Sequence, residues 1–177
     1  MACNEILGIA KDCLGNAGGV SRIWLNNGDA IDMSTVTYDT DETVSAADLA
    51  PGATGFVEFQ FNPNVSSFTD NILVDLTTSS TFYDQIVSLQ LSRREAIKRQ
   101  RILLIADGQP PLTMMVKDAN ENYWIFGLRE DKMYLTGSEG GSGTLKTDLN
   151  GYVLTFTAQS AFPAFAIEES VALALAS

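Results

Sequence analysis

Residues 67–106 read SFTDNILVDLTTSSTFYDQIVSLQLSRREAIKRQRILLIA, and the fold turns on how this run is divided. Phe68–Leu76 and Thr81–Leu91 are rich in β-branched and aromatic residues. They flank the polar turn Thr77-Thr78-Ser79-Ser80, which is the pattern of a long hairpin. In the second arm Tyr83, Val87, Leu89 and Leu91 share one face, with Asp84, Ser88 and Gln90 opposite. One side therefore suits a core and the other solvent or a partner. The chain then enters Ser92-Arg93-Arg94-Glu95, a capping-box sequence that predicts a helix from about Arg93. Ala96, Ile97, Leu103 and Leu104 are expected to face the core, and Ile102–Ala106, apolar throughout, to be buried or to begin a strand. Asp107-Gly108-Gln109-Pro110-Pro111 stops the helix.

The same run divides the charge. Between Arg22 and Arg93 there is no lysine or arginine but there are ten carboxylates. Arg93, Arg94, Lys98, Arg99 and Arg101 then fall within nine residues. Such segregation points to contact with further copies of the chain or with a polyanion, and these five residues are the candidate subunit interface. Over all 177 residues, 22 acidic side chains against 11 basic ones give a net charge of −11. That balance argues against sequence-independent binding to nucleic acid, which needs basic neutralisation of phosphates. It is compatible with a surface past which nucleic acid slides without sticking.

Catalytic and metal chemistry find little support. With no histidine in the chain, the commonest general base and metal ligand are both missing, and no Ser-His or Cys-His pair can form. Cys3 and Cys13 are too few for a zinc site and read as small apolar residues in a reducing compartment. Asp39-Thr40-Asp41-Glu42 lacks the glycine and the distal glutamate of a calcium loop. Gly137–Gly143 fails both phosphate-binding glycine patterns and reads as a mobile or partner-ordered loop. The expectation is a protein that is not an enzyme and holds no cofactor or metal. No apolar run approaches the ~20 residues of a membrane span, and the N-terminus has no basic leader region, so cytoplasmic synthesis is expected.

Outward from the hairpin, residues 4–14 have the apolar spacing of a short amphipathic helix. Val20–Leu25 is a strand with Ile23 and Leu25 on one face and Trp24 on the other. Residues 26–54, acidic and turn-rich, read as an exposed excursion in which Val36 and Tyr38 could belong to one strand. Phe56–Phe61 alternates as a strand; Leu112–Lys117 and Tyr123–Gly127 form a second hairpin about Asp118–Asn122. Met133–Thr136, Tyr152–Ala158 and Pro163–Ile167 complete the strands, and Ser170–Ser177 reads as a tail that frays or joins a neighbour. Trp24 and Trp124 are expected as core or interface anchors. The sum is a mainly β chain, sandwich or barrel, of eight or nine strands with one principal packed helix and a short N-terminal one.

Several segments, Phe56-Val-Glu-Phe-Gln-Phe, Ser67-Phe-Thr-Asp, the basic helix, Asp118-Ala-Asn-Glu-Asn-Tyr-Trp and Asp148-Leu-Asn-Gly-Tyr-Val-Leu-Thr-Phe-Thr-Ala, resemble virion structural proteins of phages and prophages of the Bacteroidetes group. That likeness runs over most of residues 17–168, and the strand–hairpin–helix–hairpin order also resembles that of phage tail tube proteins. The Gln109-Pro110-Pro111 insertion departs from that plan. The resemblance implies one tail-tube-like β domain over residues 1–177, with an N-terminal helix arm at 1–19 and a C-terminal tail at 168–177. It further implies hexameric rings that stack into a virion tail tube, other tail proteins as partners, and DNA passing through without specific binding or membrane contact. Asp70, Asp75, Asp84, Ser88 and Gln90 are then the candidate lumen-facing residues, and the basic helix lies outside the bore. Two other readings are a capsid auxiliary or head–tail connector protein and an acidic ligand-binding β-domain.

Overall fold

The computed structural model describes residues 15–177, which form eleven strands and two helices. The hairpin at the centre of the sequence is there: β5 (Ser67–Asp75) pairs antiparallel with β6 (Ser80–Ser92) from Ser67 opposite Ser88 to Asp75 opposite Ser80. Strand β6 pairs on its other side with β10 (Gly151–Ser160), and β10 with β9 (Tyr134–Gly141). These four strands, in the order β5-β6-β10-β9, make the small sheet.

The large sheet has seven strands in the order β2-β3-β11-β8-β7-β1-β4. They are β1 (Val20–Asn27), β2 (Ile31–Tyr38), β3 (Val44–Leu49), β4 (Val57–Phe59), β7 (Leu112–Asp118), β8 (Tyr123–Phe126) and β11 (Phe165–Ile167). Both sheets stay open, and no closed barrel forms among the described residues. One apolar cluster draws on both sheets: Ile23, Leu25, Met114, Val116 and Phe126 meet Val87, Leu89, Leu91, Leu154 and Phe156. A second lies on the opposite face of the large sheet, where Trp24, Met115, Tyr123 and Ile125 pack with Ile31, Val44, Phe165 and the C-terminal helix. Alternate residues of β1 and β7 thus enter different clusters, as the two-residue period of a strand requires. Trp24 is a core anchor of the second cluster, while Trp124 is half-buried at the margin of the first.

Several expectations are corrected. Residues 26–54 are largely a strand pair at the edge of the large sheet, because Ile31, Val44 and Ala47 are buried while Asp39, Asp41, Glu42 and Asp48 stay exposed. Asp39 organises the β2–β3 turn, its N–H donating to Thr43 O (2.8 Å) and its carboxylate accepting from Thr40 N (2.7 Å). Most of the glycine-rich segment 137–143 belongs to β9, where Tyr152 packs flat on Gly140; a Cβ there would lie 2.9 Å from the ring. The C-terminal residues neither fray nor extend away: α2 (Glu169–Leu175) buries Val171, Ala172 and Leu175. Its last turn approaches Gly55 so closely that a Cβ there would clash with Ser177 O, and Phe56 N donates to Leu175 O (2.8 Å). The expected N-terminal helix at residues 4–14 lies outside the described residues.

The Asp118–Asn122 turn joins β7 and β8 as expected. Asp118 accepts from Asn120 N (2.8 Å), Asn122 N (2.9 Å) and Trp124 Nε1 (3.2 Å). Burial alone would raise its pKa, but these donors together hold it below the ordinary carboxylate value. The insertion at Gln109-Pro110-Pro111 returns the chain from the helix to β7, with Gly28 N donating to Pro111 O (2.8 Å).

Candidate assembly interface

The basic helix is α1 (Ala96–Ala106), and its placement differs from the periodic reading in two ways. The capping box is not formed: Ser92 remains in β6, Arg93 takes a left-handed backbone (φ 63°), and Glu95 is the N-cap without a side-chain cap bond. The face turned to the core is Lys98, Ile102 and Ile105, with only Ile102 fully buried. Ala96, Ile97, Leu103 and Leu104 are all exposed, so the expected core stripe points to solvent, as does much of Ile102–Ala106. The physical reason lies at the corner. The left-handed turn at Arg93 rotates the helix, and Lys98 is drawn inward to donate to Ser92 O (2.6 Å) and Arg93 O (3.3 Å).

The five bases are therefore not equivalent. Lys98 closes the β6–α1 corner and also pairs with Glu95 (3.8 Å), while Arg93 pairs with the same carboxylate at 3.2 Å. Arg94 lies 5.2 Å from the centroid of the Tyr152 ring. Arg99 and Arg101 are exposed and have no carboxylate partner among the described residues. Arg94, also exposed, likewise has no carboxylate partner there.

The small sheet has opposite character. Its four strands contain no lysine or arginine, and its carboxylates are Asp70, Asp75, Asp84 and Glu139. Register places Asp84, Ser88 and Gln90 together on the face away from the core, as the sequence predicted. Their cross-strand neighbours continue it: Ser67, Ser88 and Thr155 form one row, Thr69, Ile86 and Thr157 the next. Asp75 stands at the hairpin tip, where Thr77 donates to it through hydroxyl and N–H and lowers its pKa.

Asp70 is the exception among the candidate lumen residues. It pairs across the strand with buried Gln85, on the inner side, and its Oδ2 accepts from Ala164 N at 2.7 Å. Strand parity gives the reason: Asp70 shares a face with Phe68, not with Ser67 and Thr69. It ties the connection before β11 to the small sheet, which is a structural role.

Two features escaped the sequence reading. A groove of about 720 Å³ runs between α1 and β4, lined by Val57, Phe59, Leu91, Ile102, Leu104 and Ile105, with Lys98 and Arg101 among its charged residues. The tip of the β5–β6 hairpin also projects past the end of β10, whose last paired residue, Ser160, stands opposite Tyr83. The signal for the second was present as Ile72, Leu73, Val74 and Leu76, broken only by Asp75, a set of apolar residues too dense for one buried face. The signal for the groove was absent, because it joins residues far apart in the chain. Among the described residues no group of three or more carboxylate or cysteine side chains is placed to hold a metal ion, and no helix is long and apolar enough to cross a membrane.

The chain matches no protein-family model, no curated protein and no solved structure.

Proposed function

We propose that this chain is the self-assembling subunit of a phage-type tail tube, a virion structural protein whose rings enclose a DNA-conducting bore. The observation that carries the reading is the small sheet: it has an apolar face toward the core, a face away from it on which Ser, Thr, Gln and carboxylates stand among a few apolar residues such as Ile86 and Val153, and no basic residue. Its outer strands, β5 and β9, present open backbone edges. Open edges are templates for pairing with another chain, so sheets of neighbouring copies can join laterally, in a sandwich-like subunit, into a continuous wall with the base-free face inward. A wall of carboxylates and hydroxyls repels the phosphate backbone and offers it no counter-charge, which lets DNA pass without sticking. Arg99 and Arg101 lie on α1, outside that wall, where they can meet carboxylates of the next copy.

Negative-stain imaging of the purified protein over a range of ionic strength tests the reading. Rings or tubes with a stained central bore are the expected result. A monomer at high concentration under every condition refutes it. Trimers or monomers that bind only to assembled capsid shells would favour a capsid auxiliary role instead.

A further inference from the structure

Two exposed apolar surfaces lie at opposite ends of the same strand. At the first turn of β6 the hairpin tip leaves Ile72 at 62 %, Val74 at 58 % and Leu76 at 88 % exposed, with no strand beside β6 there but β5. At the other end, beyond Leu91, the α1–β4 groove opens between Val57 (55 % exposed) and Leu104 (68 %) over a floor that includes Phe59 and Ile102. Apolar surface of this kind, rimmed by polar residues, marks a contact site. Strand β4 is only three residues long and has an unpaired outer edge, which an extended segment can pair with.

We infer that the β5–β6 hairpin tip of one copy docks in the α1–β4 groove of the next. The charges agree: Lys98 and Arg101 outnumber Glu58 among the residues lining the groove, and the hairpin tip carries Asp75 with no base. Geometry excludes the intramolecular version. Strand β6 has 13 residues, so tip and groove are about 40 Å apart along it, and a copy cannot fill its own groove. The contact is heterologous, hairpin to groove and hairpin to groove again, and such contacts build rings or open-ended stacks. It rests on the reading of the chain as a self-assembling subunit and assigns that assembly its end-to-end contact, separate from lateral joining through β5 and β9.

The test uses the full chain with Cys3→Ser and Cys13→Ser as background. A Leu76→Cys protein and a Leu104→Cys protein are assembled together and treated with a short bis-maleimide. The expected result is a cross-linked dimer from the mixture at least about tenfold above that from Leu76→Cys mixed with Asp48→Cys, whose position lies away from the groove. A parallel Leu76→Asp variant is expected to leave the melting temperature unchanged and to abolish tubes. Normal tubes without the mixed dimer, or normal tubes from Leu76→Asp, overturn the docking while leaving the tube reading intact. Absence of any assembly by the background protein and by the unmodified chain overturns the tube reading itself.

Discussion

Strand β7 in the large sheet and strand β6 in the small one are both central strands flanked on each side, yet they are built differently. In β7 five consecutive residues from Leu112 to Val116 are buried, with Met114 and Val116 entering one cluster and Met115 the other. In β6 burial alternates from Gln85 to Leu91, and Ile86, Ser88 and Gln90 stay half-exposed. On its second face the large sheet carries a further apolar cluster, to which its own edge strands β2 and β3 and helix α2 contribute. The small sheet has nothing over its second face among the described residues, and that face lacks any base. A sheet buried twice serves as the scaffold, while a sheet buried once keeps a surface for use.

The largest effect that can break this comparison is in the shared core. Phe126→Ala, at a fully buried site on β8, should cost about 3–5 kcal/mol in urea unfolding. Thr157→Ala on the wet face should stay within about 0.5 kcal/mol, and equal losses would dissolve the distinction between the two faces. Next comes the pair Asp70 and Asp84, two carboxylates of one hairpin on opposite faces. Asp70→Ala strands the Ala164 N–H that it accepts and should cost about 1–3 kcal/mol. Asp84→Ala should cost about 0.5 kcal/mol or less; a reversed order would show the parity assignment to be wrong.

The pH dependence gives a smaller signal. The folded pKa of Asp118 lies below its ordinary value of 3.8, so its hydrogen bonds stabilise the fold fully above that value. The contribution is lost as pH falls from there through the folded pKa. Thermal melts of Asp118→Asn should therefore decline less steeply on acidification than those of the unmodified chain, and parallel curves would count against the assignment. The smallest change in stability is expected from Asp84→Lys, Ser88→Lys and Gln90→Lys together, which touch only the wet face. The same variant should acquire duplex DNA binding that weakens with salt, with a log–log slope of about −0.9 for each phosphate contacted. Fluorescence anisotropy that detects no gain would remove the electrostatic argument for a non-sticking bore.

How far the residues spoke for themselves varied with the kind of order involved. The hairpin arms, the faces of β1 and β6, and the Asp118 turn were legible because strand alternation and turn chemistry act over two to five residues. The acidic stretch 26–54 concealed β2 and β3 because its carboxylates obscured a few well-placed apolar residues, Ile31, Val44 and Ala47. Helix α1 was located correctly and rotated wrongly. Its apolar residues occupy more than one face, so periodicity had no unique answer, and the backbone at Arg93 chose. Of the candidate site residues, Asp84, Ser88 and Gln90 share the predicted face, whereas Asp70 and Lys98 are held by hydrogen bonds within the subunit.

The sequence by itself determined a mainly β chain, the long hairpin, and the separation of a base-free half from a basic helix, since each is written in local pattern or in composition. Only the tertiary structure decided which sheet is covered twice, which side of α1 is left open, and that an apolar hairpin tip and an apolar groove lie at the two ends of β6. Those outcomes depend on packing between residues distant in the chain. No short-range periodicity encodes them.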